Sequence, residues 1–137
     1  MAQAASNDEL RGVFEHHLEE TRDHVGRLED IRGQIGRSMS EECEGMRGLI
    51  REGEEIISAE GDPTVKDAAL ISAAQRIEHY EIAAYGTART LADELDLGDA
   101  KDVLDQTLDD ESNADKLLTK IATGGMFKAG INQEARS

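Results

Sequence analysis

The sequence is poor in the residues that staple or punctuate small folds. Its 137 residues include one cysteine, one proline, two Phe, two Tyr and no Trp. With Cys43 alone, an intrachain disulfide and a cysteine-based metal site are both excluded, which suits a reducing, cytoplasmic setting. No apolar run approaches the roughly 18–20 residues of a membrane span, and the N-terminus lacks a basic-then-apolar signal pattern. The expectation is a soluble protein with no membrane partner. Positive charge is also scarce: 15 Lys and Arg stand against 30 Asp and Glu, for a formal net charge of −15. That argues against nucleic acid, whose phosphates need clustered Lys and Arg. A solvated acidic surface that aids solubility accounts for the imbalance. What is present favours an all-α protein, because Ala, Leu, Glu, Asp and Arg dominate and β-branched runs are short. The length suffices for one domain with a real core, residues 1–137, and not for two.

Ser6 to Glu9 has the form of a capping box and opens a helix of about 7–35 that stops at Gly36. Its apolar residues fall in two adjoining heptad rows, Leu10, His17, His24, Ile31 and Phe14, Thr21, Leu28, Ile35. Ser40 opens a second, weaker helix of about 41–60, in which Gly45, Gly48 and Gly53 lower helicity or permit close approach by another backbone. Gly61-Asp62-Pro63 is the strongest boundary: a stop, a cap and a first-turn proline. A third helix follows over about 63–95, with rows Leu70, Ile77, Ala84, Leu91 and Ala74, Glu81, Ala88, Leu95. After a break at Leu97-Gly98-Asp99 a fourth runs over about 99–123, and the tail 124–137 reads as irregular. The short break makes the last two helices antiparallel neighbours, while the long segment between the first and third permits a crossover, as in ferritin-like bundles.

Three of these helices place acidic or imidazole groups on the face that should be buried, each near its own midpoint. They are His17, Glu20 and His24 on the first, Glu78 and Glu81 on the third, and Glu111 and Asp115 on the fourth. Taken singly, a Glu in an apolar stripe is more often an edge residue or a protonated one, and a lone His a satisfied core residue. Together they are harder to dismiss. A buried, unpartnered carboxylate costs several kcal/mol or takes up a proton, and neighbours compound the cost. The sequence offers no inward Lys or Arg at that level, so divalent or trivalent cations are the natural compensation. Mixed carboxylate and imidazole ligation suits iron or manganese, as in di-iron and di-manganese bundles. The Glu-x-x-His pair typical of such sites is absent.

Three segments carry a family resemblance: "HLEET" (17–21), "DAALISAAQRIEHYEIAAYGTA" (67–88) and "GINQEA" (130–135), with Cys43 and "GLI" (48–50) in support. They resemble the YciE/YciF ferritin-like family, distantly similar to rubrerythrin and ferritin, associated with bacterial stress and described as ferroxidase-like. The resemblance covers nearly the whole chain. It implies an antiparallel ferritin-like bundle with a crossover connection and an additional short helix, and a metal set of His17, Glu20, Glu78, Glu81, Glu111 and Asp115, with His24 as a further candidate. Glu78 and Glu81 match that fold's paired glutamates, and Asp115 stands where a His is usual. Family members usually begin with another long helix bearing its own glutamate, and "MAQAAS" (1–6) resembles the connection that follows it. The implied remedy is an upstream start or a partner subunit, so a homodimer is expected, with the Gly-bearing crossover helix at its interface. Two functions therefore compete: an iron-dependent ferroxidase or peroxide-linked oxidoreductase, and a metal-free dimeric stress protein without activity.

Overall fold

The computed structural model describes residues 1–36, 42–125 and 128–136. A 3-10 turn at Ala2–Ala4 leads into α1 (Asp8–Ile35), followed by α2 (Glu44–Ser58), α3 (Pro63–Glu94) and α4 (Gly98–Thr123). A two-residue pair, β1 (Gly124–Gly125) and β2 (Lys128–Ala129), precedes a single turn of helix, α5 (Ile131–Glu134). Ser40, the expected start of the second helix, lies outside the described residues.

Side-chain caps show why α1 and α3 start where they do. Asp62 accepts from the Thr64 and Val65 amides, with Pro63 in the first turn. The cap of α1 is Asn7, which accepts from Leu10, and not the expected Ser6. Ser6 is used elsewhere. Its amide (2.8 Å) and hydroxyl (2.6 Å), together with the Asn7 amide (2.8 Å), donate to the buried carboxylate of Asp67. α4 begins at Gly98, with Asp99 in its first turn, where a negative charge favours the exposed amides.

The contact from Ser6 to Asp67 spans 61 residues, and the same offset separates His17 from Glu78. A constant offset means that α1 and α3 run parallel, so the crossover is real. α4 returns antiparallel and packs chiefly on α3, then on α1, while α2 lies along α3. Helices α1 and α3 scarcely touch directly. Two apolar clusters hold the bundle. One joins Leu10, Leu70, Ile71, Leu118 and Ile131, and the other joins Ile31, Ala92, Ala100 and Leu104. Burial of each large aliphatic side chain contributes about 1.5–3 kcal/mol.

Two sequence expectations change here. The tail is ordered: β1 and β2 pair antiparallel, and Ile131 is inserted into the first apolar cluster. The rotation of α3 also differs. Its expected rows start buried at Leu70 and Ala74 and end exposed at Leu91 (57%) and Leu95 (67%). A straight helix drifts by about 20° per heptad against a strict seven-residue repeat, so rows drawn over this length leave the core. The buried line instead passes through Leu70, Ile71, Ala74, Glu78 and Ala92.

Candidate metal centre

A polar layer separates the two apolar clusters. From α1 come His17 and His24, from α3 Glu78, and from α4 Thr107 and Glu111; all but His17 are buried. His17 Nε2 lies 3.2 Å from Glu78 Oε2 and 3.4 Å from Glu111 Oε2. His24 Nδ1 lies 3.1 Å from Glu111 Oε1. Glu111 therefore turns one oxygen to each histidine. These approaches are close without hydrogen-bond geometry, and Glu78 Oε2, both Glu111 oxygens and His24 Nδ1 have no hydrogen-bond partner among the described residues. Buried polar atoms left unpaired cost about 1–3 kcal/mol each, more when charged, so four in one layer make it a costly arrangement for packing alone.

The electrostatics agree. Burial pushes Glu111 upward, reinforced by Glu78 and Glu81 nearby. Glu81 is raised to about 7, by burial first and then by the Glu78 charge. For His17, burial works against the charged form, but the carboxylates of Glu78, Glu20 and Glu111 prevail and lift it to about 9. Tyr85 packs edge-on against the His24 ring, with centroids 6.2 Å apart, and is raised to about 12 by burial and then by Glu81 and Glu111.

His17, Glu78 and Glu111 each offer a donor atom, and those atoms lie within 4.8 Å of one another. Donors at about 2.0–2.2 Å from a shared cation stand roughly 3–3.5 Å apart, so these three residues fit one. Their chemistry, one imidazole and two carboxylates, suits first-row divalent metals.

The other sequence candidates fall at different distances from this group. Glu81, expected in the centre of the stripe, is half-buried on the neighbouring flank of α3, and Glu78 takes the central place. Glu20 sits behind His17, 3.1 Å from its Nδ1. Asp115 turns away, accepting from Gln75 at 2.9 Å with His79 at 3.2 Å, because its flank of α4 faces that edge of α3. His24 is 1% exposed and occupies the layer.

Two participants escaped the sequence reading. Asp110 lies 3.2 Å from His24 Nε2, and Arg27 donates to Asp110 (2.8 Å) and Thr107 (3.1 Å). The only signal was that Arg27 follows His24 by three residues on one helix face. A cation does approach the layer, contrary to expectation. Its charge is taken up by Asp110, whose pKa is lowered despite burial through Arg27 and His24.

With this geometry in view, the comparisons with known proteins are direct. Residues 1–136 match DUF892, a domain of unknown function. The chain belongs to the DUF892 family. Protein YciF of Escherichia coli (strain K12) is 40% identical over 97% of this chain and 81% of its own length. The crystal structure of that E. coli stress protein aligns at a TM-score of 0.83 and 41% identity, over 87% of this chain and 76% of the other. YcfI from Rhodopseudomonas palustris, proposed to be a structural protein, aligns at 0.82 and 37% identity, over 88% and 78%. At these identities the DUF892 relatives and this chain share an all-α bundle. No helix among the described residues is long and apolar enough to cross a membrane.

Proposed function

We propose that this DUF892 protein is a ferritin-like carboxylate metalloprotein of the stress response, binding iron, with manganese as the alternative, at the layer between its apolar clusters. The observation that carries this reading is the set of four buried, unpartnered donor atoms on Glu78, Glu111 and His24 beside His17. His17, Glu78 and Glu111 would hold the first cation. Glu111 turns its other oxygen to His24, and Glu81, His24 and Glu20 would be the donors available to a second. A di-iron centre would supply oxidation of Fe(II) by O₂ or peroxide. The chain's own part is to hold the carboxylates in place and exclude bulk water with the clusters around Leu70 and Leu104.

Metal content of the purified protein after iron supplementation tests this directly. One to two metals per chain are expected, falling to a tenth or less in Glu111→Ala. Metal-free wild type under the same conditions would sink the reading.

The second reading, a non-enzymatic dimeric bundle in the cytoplasm, draws on a different observation. Leu18 (48%), Val25 (53%), Leu28 (41%) and Ile35 (50%) on α1, with Leu91 and Leu95 on α3, stand exposed, as faces awaiting a partner do. A second copy of the chain over these faces is compatible with either reading. In the metal-free case His17, carrying a proton, balances the carboxylates alone.

A further inference from the structure

A ladder of contacts climbs from solvent to the buried layer on one flank of α1. His16 Nε2 stands 3.3 Å from Glu20 Oε1, and Glu20 Oε2 stands 3.1 Å from His17 Nδ1. His17 Nε2 then faces Glu78 Oε2 and Glu111 Oε2 at 3.2 and 3.4 Å. Side-chain exposure falls at every rung: 69% for His16, 26% for Glu20, 16% for His17, 4% for Glu78 and 0% for Glu111. An ordinary surface pair at i,i+4 ends at its own helix face. This one does not, because Glu20 divides its two oxygens between a surface imidazole and a half-buried one, and the chain ends on carboxylate oxygens without partners.

We propose that His16 and Glu20 form the entry for a divalent cation: His16 and Glu20 capture it, and Glu20 passes it to His17 and the carboxylates within. The proposal rests on the metal reading above. Every rung is a nitrogen or oxygen donor of the kind a first-row divalent cation accepts, so the ion exchanges water for protein ligands stepwise instead of shedding its hydration in one step. Asp23, exposed and two turns beyond His16 on the same flank, adds negative charge that draws cations toward the mouth. Leu18 and Val25 lie on the flank of α1 turned away from Arg27 and α4, whereas Glu20 precedes Arg27 by two turns on the α4 side. A partner seated on the apolar flank would thus leave the ladder open.

The test uses the full chain and Co(II), followed by stopped-flow absorbance, with release measured by adding excess chelator. His16→Gln and Glu15→Gln are compared with wild type, Glu15 being an exposed carboxylate off the ladder. His16→Gln is expected to slow uptake by about threefold or more and to slow release by the same factor, leaving stoichiometry and affinity unchanged. Glu15→Gln is expected to match wild type. Uptake by His16→Gln at the wild-type rate would overturn the route while leaving the metal centre standing. Slower uptake without slower release would also overturn it, since His16 would then contribute to affinity and not to passage. Wild type that takes up no Co(II) removes the route and the metal reading together.

Discussion

At the scale of single residues, the informative feature is a carboxylate that the fold buries without paying for it by a hydrogen bond. Glu111 is fully buried, and its oxygens face imidazoles at 3.1 and 3.4 Å. Three groups in and beside the layer shift upward, whereas Asp110, paired with Arg27, shifts downward. Glu81 rises from 4.5 to about 7, His17 from 6.5 to about 9, and Glu111 also rises. A group with a raised folded pKa contributes stability that is complete below its unfolded value and is lost as the pH climbs through its folded value. The metal-free protein should therefore lose thermal stability steadily between about pH 4.5 and 9, seen as a falling Tm in chelator-treated samples at pH 5, 7 and 9. A flat profile would mean that the layer is not sequestered from water. Metal reverses the trend: loading must expel those protons, so affinity should weaken as pH falls, which a Co(II) titration at pH 6 and 8 would reveal. Glu111→Gln keeps the shape and cannot ionise, so this position no longer titrates as the pH rises. Without metal its Tm should equal or exceed wild type at pH 8, and its metal occupancy should fall.

At the scale of elements, the register of α1 against α3 depends on one buried side chain. Asp67 accepts three hydrogen bonds from Ser6 and Asn7, tying the entrance of α1 to the first turns of α3 two helices away in sequence. Asp67→Ala should cost about 2–4 kcal/mol in chemical denaturation, since it leaves two backbone amides buried or half-buried without an acceptor. Because the same offset carries His17 to Glu78, this variant should also lower metal occupancy. Gly124 is the matching device at the other end. Its φ of 72° suits glycine, and a Cβ there would meet the Lys128 carbonyl at 2.4 Å. Gly124→Ala should cost about 1–3 kcal/mol by displacing β2 and withdrawing Ile131 from the core. Both elements show the limit of sequence patterns. The Ser6–Glu9 capping signal placed the start of α1 within two residues, but nothing local marked Ser6 as a donor to a carboxylate 61 residues away. The tail was unreadable for a related reason: a two-residue strand pair and one helical turn are too short for periodicity and exist through Ile131 packing on Leu118 and Leu10.

At the scale of the molecule, α1 and α3 carry exposed apolar flanks, and the proposed dimer would cover them. Two copies meeting there would remove Leu91 and Leu95 from water, so a double change of these residues to Lys should convert a dimer into a monomer in light scattering at micromolar concentration. A wild-type chain that is already monomeric under those conditions would contradict the dimer. The change should leave the layer's donors in place, because none of them lies beyond Tyr85 on α3.

The sequence by itself determined the helical class, the Asp62–Pro63 start of α3, the extent of α1 and the presence of His17, Glu78 and Glu111 on inward or near-inward faces. Those follow from composition, capping chemistry and a periodicity that every turn reports locally. Only the tertiary structure decided which glutamate on α3 is central, that Asp115 turns to Gln75 and His79, and that Asp110 and Arg27 neutralise each other beside His24. Three residues of separation rotate a helical side chain by about 60°, and a helix's absolute rotation in a bundle is set by the neighbours it packs against. Glu78 and Glu81 differ by that rotation, so choosing between them required knowing where α1 and α4 stand.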